Sequence, residues 1–294
     1  MPIVPLNQML THASDNGYAV GAFVSMNLEV IQAAIAAAEA EDSPVIIRIH
    51  PDSREITRFD TLTTIAKHLA GMARVPVGLS LDHGETVGDT MDAIRAGCTS
   101  VMLDAAEEPL DDNIAAVREV VNFAAPLGVM VEAAIGHMEH GAVQGEDDLA
   151  DVEQAVRLVK ESGATILSPA IGNVHGSAHG EEKATPSLAI DRIRALSEAT
   201  GVPICLHGGS GTPPAMMNDA VTAGVAMVIL FSDMITAFNR GMKSVYDANS
   251  DGIAIIDALV PAQKAAQAVI AEKMSDLGSK GRAGAFLEWQ KAQG

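Results

Sequence analysis

The stretch Val77-Gly78-Leu79-Ser80-Leu81-Asp82-His83, a segment of helical spacing, and then Ser100-Val101-Met102-Leu103-Asp104-Ala105 decides how the chain is read. Both runs are almost continuously apolar, the pattern of parallel strands buried on both faces. Both close on polar side chains, Asp82-His83 in the first and Asp104 in the second. Six further runs extend the pattern: Ala19–Val24, Pro44–His50, Val129–Gly136, Thr165–Gly172, Val202–Gly208 and Ala226–Asp233. Helical segments lie between them. Asn27–Ala40 opens on Asn27, an N-cap residue, and Asp111–Ala125 and Asp151–Glu161 carry acids in the first turn. Thr212-Pro213-Pro214 and Thr185-Pro186 put proline where a first helical turn tolerates it.

Eight strands alternating with helices predict an α/β fold, a (β/α)8 TIM barrel with extra C-terminal helices. The 294 residues lie near the length of roughly 250 typical of that architecture. No linker or composition shift divides the sequence, so Met1–Gly294 reads as a single domain. After Gly252 the tail reads as a helix over Ala254–Glu272 and a loop over Gly278–Arg282. A doubly wound open sheet would place a G-x-G-x-x-G fingerprint after the first strand, and none follows it.

Composition narrows the partners. The charge is −19, from 19 Lys+Arg against 38 Asp+Glu, which disfavours nucleic acid and anionic membranes. Gly224–Phe231 is among the longest apolar runs, far short of the ~18 residues that a membrane helix needs. Met1–Leu10 carries no Lys or Arg ahead of its apolar residues, so no secretory signal is expected. Two cysteines, Cys98 and Cys205, cannot build a disulfide framework. A cytoplasmic protein is the expectation.

Chemistry in such a barrel sits at the carboxyl ends of the strands. The third, sixth and seventh strands close on His83, His175 and His207, each followed by glycine. One histidine there would read as a satisfied core residue; three sharing one mouth point to a metal site. Three imidazoles with no thiolate at hand suit Zn2+ with a position left open for substrate. Such an ion can polarise a carbonyl and hold the enediolate formed when a neighbouring C–H proton leaves. Asp82 adjoins His83, and neighbours on an extended strand point opposite ways, so both reach the site only if the strand has ended there. Asp104 reads as a carboxylate orienting an imidazole, a ligand for a second cation, or a charge capping the next helix. Glu132 lies on the fifth strand, whose loop carries Glu146-Asp147-Asp148. The turn Gly208-Gly209-Ser210-Gly211 offers backbone N–H groups to an anion, most simply a phosphate. None of the eight lysines falls on a strand, which disfavours Schiff-base chemistry. His137, His140 and His179 read as loop residues near the site.

These residues resemble the class II, zinc-dependent ketose-bisphosphate aldolases, a group that includes fructose- and tagatose-bisphosphate aldolases. The likeness runs from Val4 to Ala283 through Gly21-Ala22-Phe23, Ser43-Pro44-Val45-Ile46, Leu81-Asp82-His83, Val101-Met102-Leu103-Asp104, Val131-Glu132-Ala133, Gly145-Glu146-Asp147, Gly172-Asn173-Val174-His175-Gly176 and Leu206-His207-Gly208-Gly209-Ser210-Gly211. The resemblance implies one zinc per subunit held by His83, His175 and His207. It implies Asp82 as the acid–base at the hydroxyl of the cleaved bond and Glu146 as the loop residue exchanging the enediolate proton. Gly176, Gly208, Gly209 and Ser210 would hold dihydroxyacetone phosphate with help from a monovalent cation. Members assemble as dimers or larger, so a homodimer or homotetramer is expected, with a small sugar or sugar phosphate as substrate.

The sequence departs from the family at several places. Ala134 replaces the second glutamate of Val-Glu-Ala-Glu, which helps hold metal in the family. On the eighth strand Met227 and Ile229 replace a lysine and an asparagine, leaving Ser232 to offer a hydroxyl to an anion. His50 stands where a phosphate-binding serine is usual, close to Arg48 and Arg54. Arg282 is similar to a basic residue in the family's tail, and reads either as a group for the far anion of substrate or as an ordinary exposed arginine. A site that loses donors discriminates poorly for the group they held. The expectation is therefore an aldehyde-lyase of carbohydrate metabolism, cleaving a ketose or ketose phosphate with altered donor specificity. The competing readings are a zinc-dependent epimerase or isomerase and a non-catalytic aldolase-like subunit.

Overall fold

A computed structural model describes residues 3–136, 145, 148–174, 186–249 and 252–293. All eight expected strands form: β1 (Val20–Val24), β2 (Val45–Ile49), β3 (Val77–Gly84), β4 (Ser100–Leu103), β5 (Met130–Ile135), β6 (Ile166–Pro169), β7 (Ile204–Leu206) and β8 (Val225–Leu230). Each pairs in parallel with the next, and β8 pairs with β1, closing the barrel.

The helices intervening in chain order are α1 (Leu6–Asp15) ahead of β1, α2 (Leu28–Glu41), α3 (Phe59–Met72), α4 (Val87–Ala96), α5 (Leu110–Ala124), α6 (Val152–Ser162), α7 (Ile190–Thr200) and α8 (Pro214–Thr222). After β8 come α9 (Ser232–Ala248), α10 (Ile255–Asp276) and α11 (Ala283–Gln293). The caps are local chemistry. Asn27 accepts the Val30 N–H at 3.2 Å and Asp151 accepts that of Gln154 at 2.9 Å, each tying down an orphan amide of the first turn.

Side-chain parity sorts the core into two layers. Phe23, Ile47, Leu79, Leu81, Val101, Val131, Leu167 and Val228 face the helices, while Val20, Ala22, Ile46, Met130, Ile166, Cys205, Met227 and Ile229 form a second cluster inside the barrel. With a period of two along each strand, Arg48, Asp82, Met102 and Glu132 share the inward face with those interior residues. His207, two residues beyond Cys205, follows the same parity. Below them, α1 and α11 close the amino-terminal end with Leu6, Met9, Leu10 and Phe286.

Some boundaries differ from expectation. The run through Asp233 stops as strand at Leu230, and Ser232 and Asp233 instead open α9. Pro186 does not start a helix: Ser187 and Ala189 donate to the Gly172 and Ile171 carbonyls, and α7 begins at Ile190. The tail helix and loop form as read, α10 and α11 supply the extra C-terminal helices, and α1 adds a helix ahead of the expected first strand.

Candidate active site

β3 bulges at its carboxyl end. Leu81 pairs with Val101 and Gly84 with Leu103, so β3 spans three residues where β4 spans two. His83 takes up the extra length at φ +38°, a left-handed conformation uncommon for a residue with a Cβ. That turn brings His83 round to the side of the mouth that Asp82 already faces; His83 Nε2 lies 3.8 Å from Asp82 Oδ1. Gly84 is what allows the strands to close over the bulge, because a Cβ there would lie 2.6 Å from the Met102 carbonyl oxygen.

His207 reaches the same place from β7. Its ring centroid is 4.8 Å from that of His83, edge to face. Ligand atoms of Asp82, His83 and His207 all lie within 4.8 Å of one another, and so do those of Glu132, Cys205 and His207.

Neighbouring carboxylates orient both rings. His83 Nδ1 is 2.6 Å from Asp104 Oδ2, which directs Nε2 at the mouth. His207 Nε2 is 2.8 Å from Glu132 Oε1. Burial works to raise the Glu132 carboxyl, but Arg48 and His207 pull it down to about 2. As an ionised acceptor it requires the His207 proton on Nε2, which puts the ring's lone pair on Nδ1. Burial holds the His207 imidazole below its ordinary value, against the pull of Glu132, so it is neutral as a metal ligand must be. For His83, burial is outweighed by Asp82 and Asp104, and its pKa rises.

Arg48 sits at the centre of this network, fully buried on β2. Its Nε donates to Asp82 Oδ1 at 2.6 Å, its Nη1 to Glu132 Oε2 at 2.7 Å, and its Nη2 to Met102 Sδ at 3.1 Å. Burial would raise the Asp82 carboxyl, yet the Arg48 guanidinium and the surrounding imidazoles hold it well below the usual carboxylate range. In the sequence Arg48 stands out only as a neighbour of His50. Its inward parity on β2 was the available signal.

The remaining candidates divide. His50 caps the short 3-10 turn Pro51–Glu55, accepting the Asp52 N–H at 3.1 Å, and its ring lies 5.7 Å from that of His83 at the rim. Asp104 takes the ring-orienting place among its possible roles. Ser210 Oγ accepts the backbone N–H groups of Phe231 and Asp233, joining the β7 loop to the start of α9, where Ser232 stands. Two amides expected to serve an anion are engaged by the protein: Gly209 donates to the Ile229 carbonyl and Gly211 to Asp233 Oδ2. Gly208 precedes them in the same loop at φ +67°. Arg282 stands apart, 5.5 Å over the Tyr18 ring beside the amino-terminal end of β1, with Nε donating to the Gly278 carbonyl. Glu146, His175 and Gly176 lie outside the described residues, as do His137, His140 and His179. Asn173, unassigned from sequence, is buried and donates from Nδ2 to the His207 carbonyl at 3.1 Å, fixing the β7 end from β6.

Two imidazoles and a carboxylate converging in a partly water-excluded mouth, each imidazole backed by a second carboxylate, fit a divalent transition ion with an open position. An anionic base at the same spot adds the means to move a proton.

The chain is similar to known aldolases over nearly its whole length. A family profile described as "Fructose-bisphosphate aldolase class-II" matches residues 4–282. The chain is 35% identical over 289 residues to the 6-phospho-5-dehydro-2-deoxy-D-gluconate aldolase of Halalkalibacterium halodurans, covering 96% of this chain and 99% of that one. It is 33% identical over 294 residues to the fructose-bisphosphate aldolase of Staphylococcus aureus, covering 96% and 100%. Among solved structures, the YdjI aldolase of Escherichia coli K12 superposes with a TM-score of 0.83 at 29% identity, covering 96% of this chain and 100% of that one. With matched residues spanning every strand of the barrel and the histidines at its mouth, the chain belongs to the class II fructose-bisphosphate aldolase family.

Proposed function

We propose that this protein is a metal-dependent aldolase that reversibly cleaves a ketose or ketose phosphate, with a donor preference different from that for fructose 1,6-bisphosphate. The observation that carries the reading is the β3 bulge, which brings Asp82 and His83 to one mouth facing His207. His83 and His207 would hold the ion, joined by His175. When bound, a divalent ion there supplies Lewis-acid polarisation of a substrate carbonyl.

The chain's own groups do the rest. Asp82, kept ionised by Arg48, accepts the proton of the hydroxyl at the bond to be broken and returns it in the synthetic direction. Glu146 takes the role of exchanging the proton at the carbon left behind. Gly176, Gly208, Ser210 and Ser232 bind the donor's anionic or hydroxyl end, with Gly209 holding the turn in place through the Ile229 carbonyl and a monovalent cation as a helper, and His50 contacts substrate at the rim. Altered specificity is supported by Met227 and Ile229, which line the barrel interior with buried apolar surface beside β1. The protein works in this reading as a single-domain cytoplasmic homodimer or homotetramer.

A retro-aldol screen of zinc-loaded protein against phosphorylated and unphosphorylated ketoses, with released aldehyde trapped, tests the proposal. Cleavage of a ketose other than fructose 1,6-bisphosphate is expected. Fast cleavage of fructose 1,6-bisphosphate with the other ketoses inert would refute the altered specificity, and isomerised product without aldehyde would refute the lyase assignment.

A further inference from the structure

His207 belongs to two groups of metal-capable side chains. The outer one is Asp82, His83 and His207 at the mouth; the inner one is Glu132, Cys205 and His207, all buried. The inner set of carboxylate, sulfur and imidazole is chemically well suited to zinc or cobalt. Arg48 occupies its edge. The guanidinium donates to Glu132 Oε2 at 2.7 Å, and its Nη2 lies 3.4 Å from His207 Nε2.

We propose that Arg48 is a built-in cation that keeps the inner group Glu132–Cys205–His207 free of metal and confines the divalent ion to the outer group. The inference rests on the metal-dependent reading above.

Two features carry it. A divalent ion bonded to Glu132 and His207 would sit against the guanidinium, and like charges that close in a dry interior repel strongly. The same guanidinium pairs with the buried carboxylates of both Glu132 and Asp82 and offsets one of their two negative charges, lowering the electrostatic demand for a second ion. Arg48 is thus a positioning residue that acts through Glu132 and His207.

Cobalt titration separates the two groups, because only the inner one contains sulfur. Wild-type protein stripped by chelator and titrated with Co2+ is expected to bind one equivalent without a sulfur-to-cobalt charge-transfer band. Arg48→Gln is expected to bind a second equivalent and gain that band, and Arg48→Gln/Cys205→Ser to lose both. Arg48→Lys, which keeps the charge, should behave as wild type. A folded Arg48→Gln protein with no band and no second equivalent overturns the proposal, as does a band in wild type. Should Arg48→Gln fail to fold, Cys205→Ser in the otherwise wild-type chain decides. Unchanged cobalt content and affinity support the proposal, and a loss of either overturns it. Wild-type protein that takes up no cobalt would count against the metal-dependent reading, while the Arg48→Gln arm would still decide this one.

Discussion

At the scale of single residues, the site consists of side chains held by other side chains. Asp104 touches His83 at Nδ1 and leaves Nε2 for the mouth. Removing such an orienting carboxylate weakens metal binding about 10- to 100-fold in comparable sites. Asp104→Ala should show that loss in a competition titration against a chelator of known affinity, with an unchanged far-ultraviolet CD spectrum. Unchanged affinity would mean that the ring needs no such partner. Glu132 has a larger structural share, because Arg48 and His207 both depend on it. Glu132→Ala leaves a buried guanidinium short of an anion, a change that costs about 3–5 kcal/mol. Urea unfolding measures it, and a loss under about 1 kcal/mol would show that water or another group replaces the carboxylate.

At the scale of elements, the bulge in β3 matters most. The Gly84 position tolerates no side chain, since a Cβ would press on the Met102 carbonyl oxygen of β4 and on Leu81. Gly84→Ala should therefore destabilise by about 1–3 kcal/mol, the usual cost of overpacking, and should weaken metal binding by shifting His83. A variant with normal metal affinity and stability would show that the bulge is not what aims the ring. The eight apolar runs were legible because parallel strands buried on both faces read as continuous hydrophobic stretches. The bulge was not, because it depends on the pairing of β3 with β4. The rule that adjacent residues alternate left open how Asp82 and His83 both enter the site; His83 at φ +38° answers it. Pro186 misled for a related reason, since the chain after it pairs with residues 171 and 172 before α7 starts. Arg48 escaped notice as part of the site because a fully buried arginine runs against burial preference and its partners come from β3 and β5.

At the scale of the whole molecule, the closed barrel joins side chains from several strands into one network, so stability should respond to metal and to acid together. Metal that binds only the folded state stabilises by mass action, by about 2.7 kcal/mol at a hundredfold excess over Kd. Chelation should accordingly lower Tm, and zinc should restore it; a Tm indifferent to both would argue against a site in the native state. Asp82 and Glu132 have depressed pKa values in the fold, so their contribution is present above the ordinary carboxylate range near 4. It is lost as pH falls towards the Glu132 value of about 2. Urea midpoints measured from pH 6 downward should fall over that interval. Burial pushes the Cys98 thiol up to about 12 and raises Cys205 well above its ordinary value. Neither should react with a thiol reagent at pH 8 until the protein unfolds; rapid labelling of the native state would contradict their burial. No helix among the described residues is long and apolar enough to cross a membrane.

The central claim is that His83 and His207, carried on β3 and β7, share one divalent ion beside Asp82. Diffraction from zinc-soaked crystals, with anomalous difference maps on either side of the zinc edge, tests it most directly. The account predicts a single strong peak bonded to both imidazoles at the carboxyl ends of those strands. Rings turned away from each other, with no peak between them, would contradict it.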